Sequence, residues 1–204
     1  MAAARATIIP TGAANIASVK AAFKRLGVKA RLSQQPDAVR EHDFVVLPGV
    51  GSFGAAMTEL RRTGVDIALR ERIKRRRPTL AVCLGLQLLA QASDESTGAT
   101  GLGILPLAVR RFGDTVKVPQ FGWNRITALP GCDMLTGGYA YFANSYMLRS
   151  IPDGWYGATA HYDRSFVAAL EHGPILACQF HPELSGVWGL DLLKRWLERG
   201  GEEC

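Results

Sequence analysis

The sequence has no long apolar run. Nothing in its 204 residues approaches the roughly 20 consecutive apolar residues that a helix needs to cross a bilayer. The apolar run near the start ends at Pro10, which is too short and weak for a secretory signal. We therefore expect a cytoplasmic protein with no membrane partner.

The sequence also lacks the cysteine spacings of metal sites and disulfide frameworks. No Cys-x-x-Cys pair occurs, so we expect neither a zinc site nor a disulfide framework. The G-x-x-x-x-G-K-[ST] phosphate loop is missing as well, which excludes that kind of nucleotide site. The four cysteines lie far apart, at Cys83, Cys132, Cys178 and Cys204.

What the sequence does contain fits one globular domain over residues 1–204, because 48% of the residues are hydrophobic and the length supports one good core.

The net charge is +6, and residues 70–77 carry a net five of these positive charges. A nucleic-acid binder spreads basic residues and interleaves aromatics, so we expect no nucleic-acid partner. We interpret the block as a solvated helix end before Pro78, with docking of an acidic partner as the alternative.

The order of apolar segments predicts an α/β fold. Strands are expected at 6–10, 28–32, 44–47 and 79–82, with helices between them and a break near Gly64. This alternation predicts an open, mostly parallel sheet with helices on both faces. The second half reads as short antiparallel strands before a C-terminal helix, and these strands are expected at 105–112, 125–128, 139–142, 158–161, 166–170 and 175–180.

Residues 80–89 (LAVCLGLQLL) place Cys83 between an apolar strand and a helical segment. This is the pattern of a nucleophile elbow, with a thiol in place of the usual serine. The sharp turn needs small neighbours, and Gly85 and Ala81 supply them. The start of the helix favours a thiolate, and the amide of Leu84 is placed to donate to an oxyanion. A buried structural cysteine is the alternative.

A base for Cys83 is expected from the end of another strand. His181 follows the apolar strand that begins at Ile175, and Glu183 lies two residues further on. The carboxyl ends of parallel strands meet at one edge of a sheet. Cys83, His181 and Glu183 therefore fit the roles of nucleophile, base and orienting carboxylate. The glycine-rich loop 48–54 ends a third strand and lets backbone amides approach a ligand.

These segments resemble the triad, or class I, glutamine amidotransferases. Residues 82–87 (VCLGLQ) and 179–183 (QFHPE) carry that resemblance. Further segments resemble the glutaminase subunits of imidazole glycerol phosphate synthase, from histidine biosynthesis. They are residues 11–20 (TGAANIASVK), 47–51 (LPGVG), 118–124 (VPQFGWN) and 141–146 (YFANSY).

The resemblance implies a covalent glutaminase that needs no metal and no organic cofactor. Cys83 would attack the side-chain amide of glutamine, and the backbone amides of Val50 and Leu84 would hold the oxyanion. The ammonia would pass to a (β/α)8-barrel cyclase subunit in a heterodimer, and a peptide flip in the glycine-rich loop would complete the oxyanion hole. The positions that match glutamine-binding residues are Gly49, Gly51, Gln87, Ser145 and Tyr146.

The chain departs from the family pattern at four places. Ala81 stands where glycine is usual, Gln120-Phe121 replaces His-Met, and Asn144 stands where histidine is common. Leu184 follows the His-Pro-Glu segment where a basic residue is typical. That basic residue usually faces the cyclase, so the departure bears on the partner rather than on the triad.

Three alternatives stay open. The first changes the acceptor of ammonia, to a pyridoxal phosphate synthase or to an amination step in surface-sugar synthesis. The second is a non-catalytic, partner-binding subunit that retains an old triad. The third is an independent thiol hydrolase, which Gln87 and the glycine-rich loop disfavour because they suit a small amide substrate.

Overall fold

The computed structural model describes residues 5–11 and 15–202. Residues 12–14 of the TGAANIASVK segment and the last cysteine, Cys204, lie outside these residues. The first half alternates strands and helices, as β1 (Arg5–Ile8), α1 (Ile16–Arg25), β2 (Lys29–Leu32), α2 (Pro36–Glu41), β3 (Phe44–Gly49), α3 (Phe53–Arg62), α4 (Val65–Lys74), β4 (Thr79–Cys83) and α5 (Leu84–Leu88).

The second half consists mainly of strands. A 3-10 turn at Pro182–Leu184 precedes the last helix. The elements are β5 (Ala92–Ser93), β6 (Ala108–Arg111), β7 (Gln120–Ala128), β8 (Gly138–Asn144), β9 (Tyr146–Met147), β10 (Tyr156–His161), β11 (Ser165–His172), β12 (Ile175–Cys178) and α6 (Gly186–Glu202).

Nine of the described strands form one sheet, in the order β2-β1-β3-β4-β12-β11-β10-β7-β8. The strands from β2 to β12 in this order are mutually parallel, and the remaining four attach antiparallel. The predicted α/β fold is confirmed, as are the antiparallel strands of the second half. A small sheet of β5, β6 and β9 lies beside it.

Helices cover both faces of the sheet. Helices α1 and α6 share one apolar core, and α2, α3 and α4 share the other. Strands β3 and β4 are buried along their whole length, as expected for strands covered on both sides. Trp196 of α6 is fully buried against Phe23 and Phe44, with ring centroids 6.2 and 5.3 Å away.

Local signals set most helix ends. The side chain of Asn15 accepts a hydrogen bond from the amide of Ser18 (3.2 Å) and caps α1, as short polar residues do at helix starts. The predicted break at Gly64 is confirmed, because this residue has φ +70° and separates α3 from α4. Only glycine adopts that conformation without strain.

Some sequence predictions were wrong in extent. The strand expected over 105–112 is shorter (β6), and the one expected over 125–128 begins five residues earlier (β7). The solvated interpretation of block 70–77 fails for Arg72, which is fully buried. Its guanidinium donates to the carbonyls of His42 (2.7 Å) and Pro78 (2.7 Å), so it ties α4 to the strand ends.

Candidate active site

Cys83 lies at a strained turn between β4 and α5. Its backbone has φ +55° and ψ −109°, and a residue other than glycine adopts a positive φ at a cost of about 1–3 kcal/mol. Two close approaches hold this turn. A Cβ on Gly85 would come closer than 3.0 Å to the carbonyl oxygen of Leu47, and one on Gly49 would lie 2.7 Å from the Cβ of Leu84.

The parallel pairing of β4 with β12 brings His181 to Cys83. Val82 is in register with Cys178, so the chain that continues from β12 emerges beside the elbow. His181 lies close enough to Cys83 for the two side chains to interact electrostatically. Its Nδ1 lies 2.9 Å from Oε1 of Glu183. Both side chains are buried, at 8% and 4% exposure.

This environment favours a charged imidazole. Burial lowers the pKa of His181, but hydrogen bonds to Cys83 and Glu183 and the charges of both groups raise it, with a net rise from 6.5 to about 10. The second oxygen of Glu183, Oε2, is buried and has no hydrogen-bond partner among the described residues. The arrangement therefore fits an imidazolium beside the thiol, oriented by a buried carboxylate.

A cavity of about 150 Å³ opens beside the thiol. It contains most of the residues that the sequence assigned to glutamine and the oxyanion. Gly49 does not line the cavity, but it is in register with Cys83 on the neighbouring strand β3. The lining residues are Val50, Gly51, Cys83, Leu84, Gln87, Glu95, Ala143, Asn144, Ser145 and Tyr146.

The two residues assigned to the oxyanion hole, Val50 and Leu84, both line this cavity. Gly51 has φ +104° with open space around it, a conformation that other residues rarely adopt. The loop between β3 and α3 therefore depends on glycine at this point. Helix α5 is only five residues long, so a large contribution of its dipole to a thiolate is not expected.

Gln179 contacts the thiol and was not among the predicted site residues. It is fully buried, and its Nε2 donates to the sulfur of Cys83 at 3.7 Å. Its Oε1 accepts a hydrogen bond from Nε2 of Gln87 (3.1 Å), which also donates to the carbonyl of Tyr146 (3.3 Å). The signal for Gln179 was its place in the QFHPE segment, next to the histidine.

Glu95 is a second residue that sequence reasoning missed. Its Oε2 accepts a hydrogen bond from the backbone amide of Phe53 (2.5 Å), at the start of α3. Ser96 accepts from the next amide, that of Gly54 (3.0 Å). Glu95 is the one carboxylate among the lining residues of the cavity. It lies in a loop without periodicity, so no pattern in the sequence points to it.

Two of the four departures from the family pattern meet in the structure. Gln120 and Asn144 are directly opposite each other on β7 and β8, and both are buried. The Nδ2 of Asn144 donates to the carbonyl of Tyr146 (3.0 Å). The side-chain oxygens of Gln120 and Asn144 have no hydrogen-bond partner among the described residues. Ala81 is fully buried inside β4.

An apolar surface lies beside the triad. Trp123 and Tyr141 are cross-strand neighbours, and the ring of Tyr141 lies 6.4 Å from that of Phe121 and 6.2 Å from that of Trp123. A Cβ on Gly186 would lie 3.9 Å from the Trp123 ring, so the turn after His181 borders this surface. We call it the aromatic surface, and it comprises Phe121, Trp123, Tyr139 and Tyr141; Leu184 and Val187 are exposed in the turn that borders it.

Among residues 5–11 and 15–202, no group of three or more His, Cys, Asp or Glu side chains could hold a metal ion. In the same ranges, no helix has the length and apolar character that crossing a bilayer requires.

Comparison with known proteins agrees with this geometry. The class-I glutamine amidotransferase family matches residues 8–198. The backbone resembles a crystal structure of a glutamine amidotransferase (TM-score 0.76, 21% identity, 96% of this chain and 98% of that one). It also resembles the structure of PurLQS from Thermotoga maritima (TM-score 0.75, 16% identity, the same coverage). The chain belongs to the class-I glutamine amidotransferase family.

Sequence relatives indicate a particular subgroup of this family. The HisH subunit of imidazole glycerol phosphate synthase from Halalkalibacterium halodurans is 38% identical over 199 residues, which cover 93% of each chain. The chloroplastic hisHF protein of Arabidopsis thaliana is 38% identical over 200 residues, 94% of this chain but 33% of that protein. Within its family the chain thus groups with the HisH glutamine amidotransferases of histidine biosynthesis.

Proposed function

We propose that this chain is a single glutaminase domain that hydrolyses glutamine through Cys83, His181 and Glu183. One observation carries the proposal: Cys83, at a strained strand-to-helix turn, lies beside a buried histidine that a buried carboxylate orients. Strain of this kind is typical of functional positions. A thiol that only filled the core would need neither the turn nor the histidine.

The chemistry proceeds in two steps. The thiolate of Cys83 attacks the amide carbon of glutamine, and the backbone amides of Leu84 and Val50 stabilise the oxyanion. His181 gives its proton to the leaving nitrogen, so ammonia departs and a thioester forms. His181 then takes a proton from water, which attacks the thioester and releases glutamate. Glu183 keeps the imidazole oriented, and the reaction needs no metal or organic cofactor.

The cavity suits an amino acid with an amide side chain. Gln87, Ser145, Tyr146 and Gly51 surround it, and they are proposed to hold the substrate together with Gly49 behind them. Glu95 adds a negative charge that the sequence did not predict, and a carboxylate in this position is a natural partner for the α-ammonium group of glutamine. The volume of about 150 Å³ accommodates a small substrate rather than a peptide.

The ammonia is proposed to go to a cyclase subunit of imidazole glycerol phosphate synthase, a (β/α)8 barrel, in a heterodimer. The aromatic surface supports this part, because contiguous exposed apolar groups mark sites of protein association. The aromatic surface borders the turn that carries His181.

We also propose that the protein is cytoplasmic. The described cysteines Cys83, Cys132 and Cys178 are free, as is usual in a reducing compartment.

The test is to trap the intermediate. The chain is mixed with glutamine and quenched in acid, and its peptides are measured by mass spectrometry. We expect a glutamyl adduct on the peptide with Cys83, and none on those with Cys132 or Cys178. The Cys83→Ser variant should release glutamate at least about 10³-fold more slowly, because its hydroxyl is a much weaker nucleophile. Wild-type turnover without an adduct, or an active Cys83→Ser variant, would contradict the proposal.

A further inference from the structure

The turn that carries His181 is attached to the sheet through a serine that no motif singled out. Ser185 lies four residues after His181 and is 1% exposed. Its Oγ donates a hydrogen bond to the carbonyl of His181 (2.6 Å). The same Oγ accepts a hydrogen bond from the backbone amide of Tyr141 (3.0 Å), in β8.

The backbone of His181 completes the connection. Its amide donates to the carbonyl of Tyr141 at 2.9 Å. His181, Ser185 and Tyr141 are thus joined in a closed ring by three hydrogen bonds. β12 ends at Cys178, so His181 itself lies beyond the regular pairing of that strand. These three hydrogen bonds attach the backbone of His181 to β8 at a point where β12 no longer pairs with its neighbours.

The rest of the turn gives Ser185 little freedom. The amide of Ser185 donates to the carbonyl of Pro182 (3.1 Å), and the amide of Gly189 donates to the carbonyl of Ser185 (3.0 Å). A Cβ on Gly189 would come closer than 3.0 Å to the oxygen of Pro182. The first turn of α6 therefore packs directly on the histidine turn, and the Ser185 hydroxyl fixes both to β8.

We infer that Ser185 is a positioning residue for the proposed reaction: its hydroxyl locks the backbone of His181 to β8, so that the imidazole is held between Cys83 and Glu183. This inference rests on the proposed function. Ser185 does not line the cavity, so it acts through His181 and not on the substrate. An error of about 1 Å in the placement of a catalytic group costs up to roughly 10²-fold in rate.

The test compares Ser185→Ala with Ser185→Thr, which keeps the hydroxyl. For Ser185→Ala we expect kcat for glutamine to fall about 10- to 100-fold with KM nearly unchanged. The alkaline limb of kcat/KM should move to lower pH, because a displaced imidazole loses the contacts that raise its pKa. Ser185→Thr should restore most of the rate and the wild-type pH profile.

Thr79→Val is the matched control. Thr79 is also fully buried, and its hydroxyl also has two hydrogen bonds, with Arg72 Nε (3.2 Å) and the carbonyl of Arg77 (2.9 Å). It lies at the opposite end of β4 from Cys83. This variant should lose stability without a shift in the pH profile. Equal profiles for Ser185→Ala and the wild type would overturn the inference.

Two further measurements separate the outcomes. If Ser185→Ala is unfolded at the assay temperature, Ser185→Gly, which also lacks the hydroxyl, replaces it, and a wild-type pH profile there would overturn the inference. Alkylation of Cys83 by a glutamine-mimicking electrophile is measured in parallel. If the wild type does not react, the proposed function fails. If the wild type and Ser185→Ala react equally fast, only the role of Ser185 fails.

Discussion

Gly85 and the carbonyl oxygen of Leu47 lie so close together that there is no room for a side chain between them. A Cβ on Gly85 would approach this oxygen closer than 3.0 Å. The oxygen belongs to the backbone of a buried strand, so it cannot move aside as a flexible side chain could. The elbow after Cys83 is therefore packed directly against the backbone of β3, the strand that leads into the glycine-rich loop. This contact therefore fixes the position of the elbow relative to the glycine-rich loop.

Gly85→Ala should therefore disturb the site more than an ordinary substitution. Overpacking of this kind typically costs about 1–3 kcal/mol of unfolding free energy, and here the movement falls on the elbow. We expect glutamate release to drop at least about 10-fold. Gly201→Ala, in α6 with nothing within 4 Å of a new Cβ, is the control and should leave both quantities nearly unchanged. Urea unfolding and steady-state kinetics measure the two effects.

Glu95→Gln tests the proposed contact with the substrate ammonium. The amide oxygen of the introduced glutamine side chain can still accept the hydrogen bond from the backbone amide of Phe53, so the fold should persist. The negative charge of the carboxylate is lost. We expect KM for glutamine to rise roughly 10-fold, as for the loss of a charge-assisted hydrogen bond of about 1.5–3 kcal/mol. The neighbouring Asp94→Asn, which breaks an exposed pair with Arg110 (2.7 Å), is the control. Equal KM values for both variants would exclude the contact.

Leu184→Lys tests the aromatic surface. Leu184 is 37% exposed, and a lysine there would add a charge to an apolar interface, where charged residues are depleted. We expect the Kd for the cyclase subunit from the same cell to change about 10-fold, more than glutamate release by the free subunit changes. Ile67→Lys is the control, because Ile67 is 52% exposed on α4. If the two variants bind the cyclase equally well, the surface is not the interface.

The pH dependence should report the proton on His181. Since its pKa is raised to about 10, the histidine keeps its proton at neutral pH and loses it as the pH rises through that value. We expect kcat/KM to fall on the alkaline side near pH 10. Glu183→Gln keeps an acceptor oxygen but removes the carboxylate charge that helps to raise the pKa of His181, so this limb should move to lower pH. Glu198→Gln, on the exposed side of α6, should not move it.

The sequence predicted those features that depend on short local patterns. The elbow at Cys83 and the strand end before His181 are each encoded within about ten residues, and parallel pairing then brings the ends together. Glu95 could not be predicted, because it reaches the cavity through a loop whose course depends on contacts with α3. Arg72 was misinterpreted since composition does not distinguish an exposed arginine from one that binds buried carbonyls.

The two departures at Gln120 and Asn144 show a similar limit. They are 24 residues apart in the sequence and looked like separate changes. The antiparallel register of β7 and β8 makes them cross-strand neighbours, which interact directly in such sheets. Only the register, which the sequence did not specify, shows that this is one altered location next to the cavity.

The most direct measurement is glutamate release by this chain, alone and with the cyclase subunit from the same cell, with and without the cyclase's nucleotide ligand. We predict release that depends on Cys83 and is strongly stimulated by the liganded cyclase. Cys83→Ser with the same partner is the control and should show no stimulation. Release that the cyclase leaves unchanged, from a chain whose Cys83 still reacts with a glutamine-mimicking electrophile, would contradict the proposed partner and point to another acceptor of ammonia.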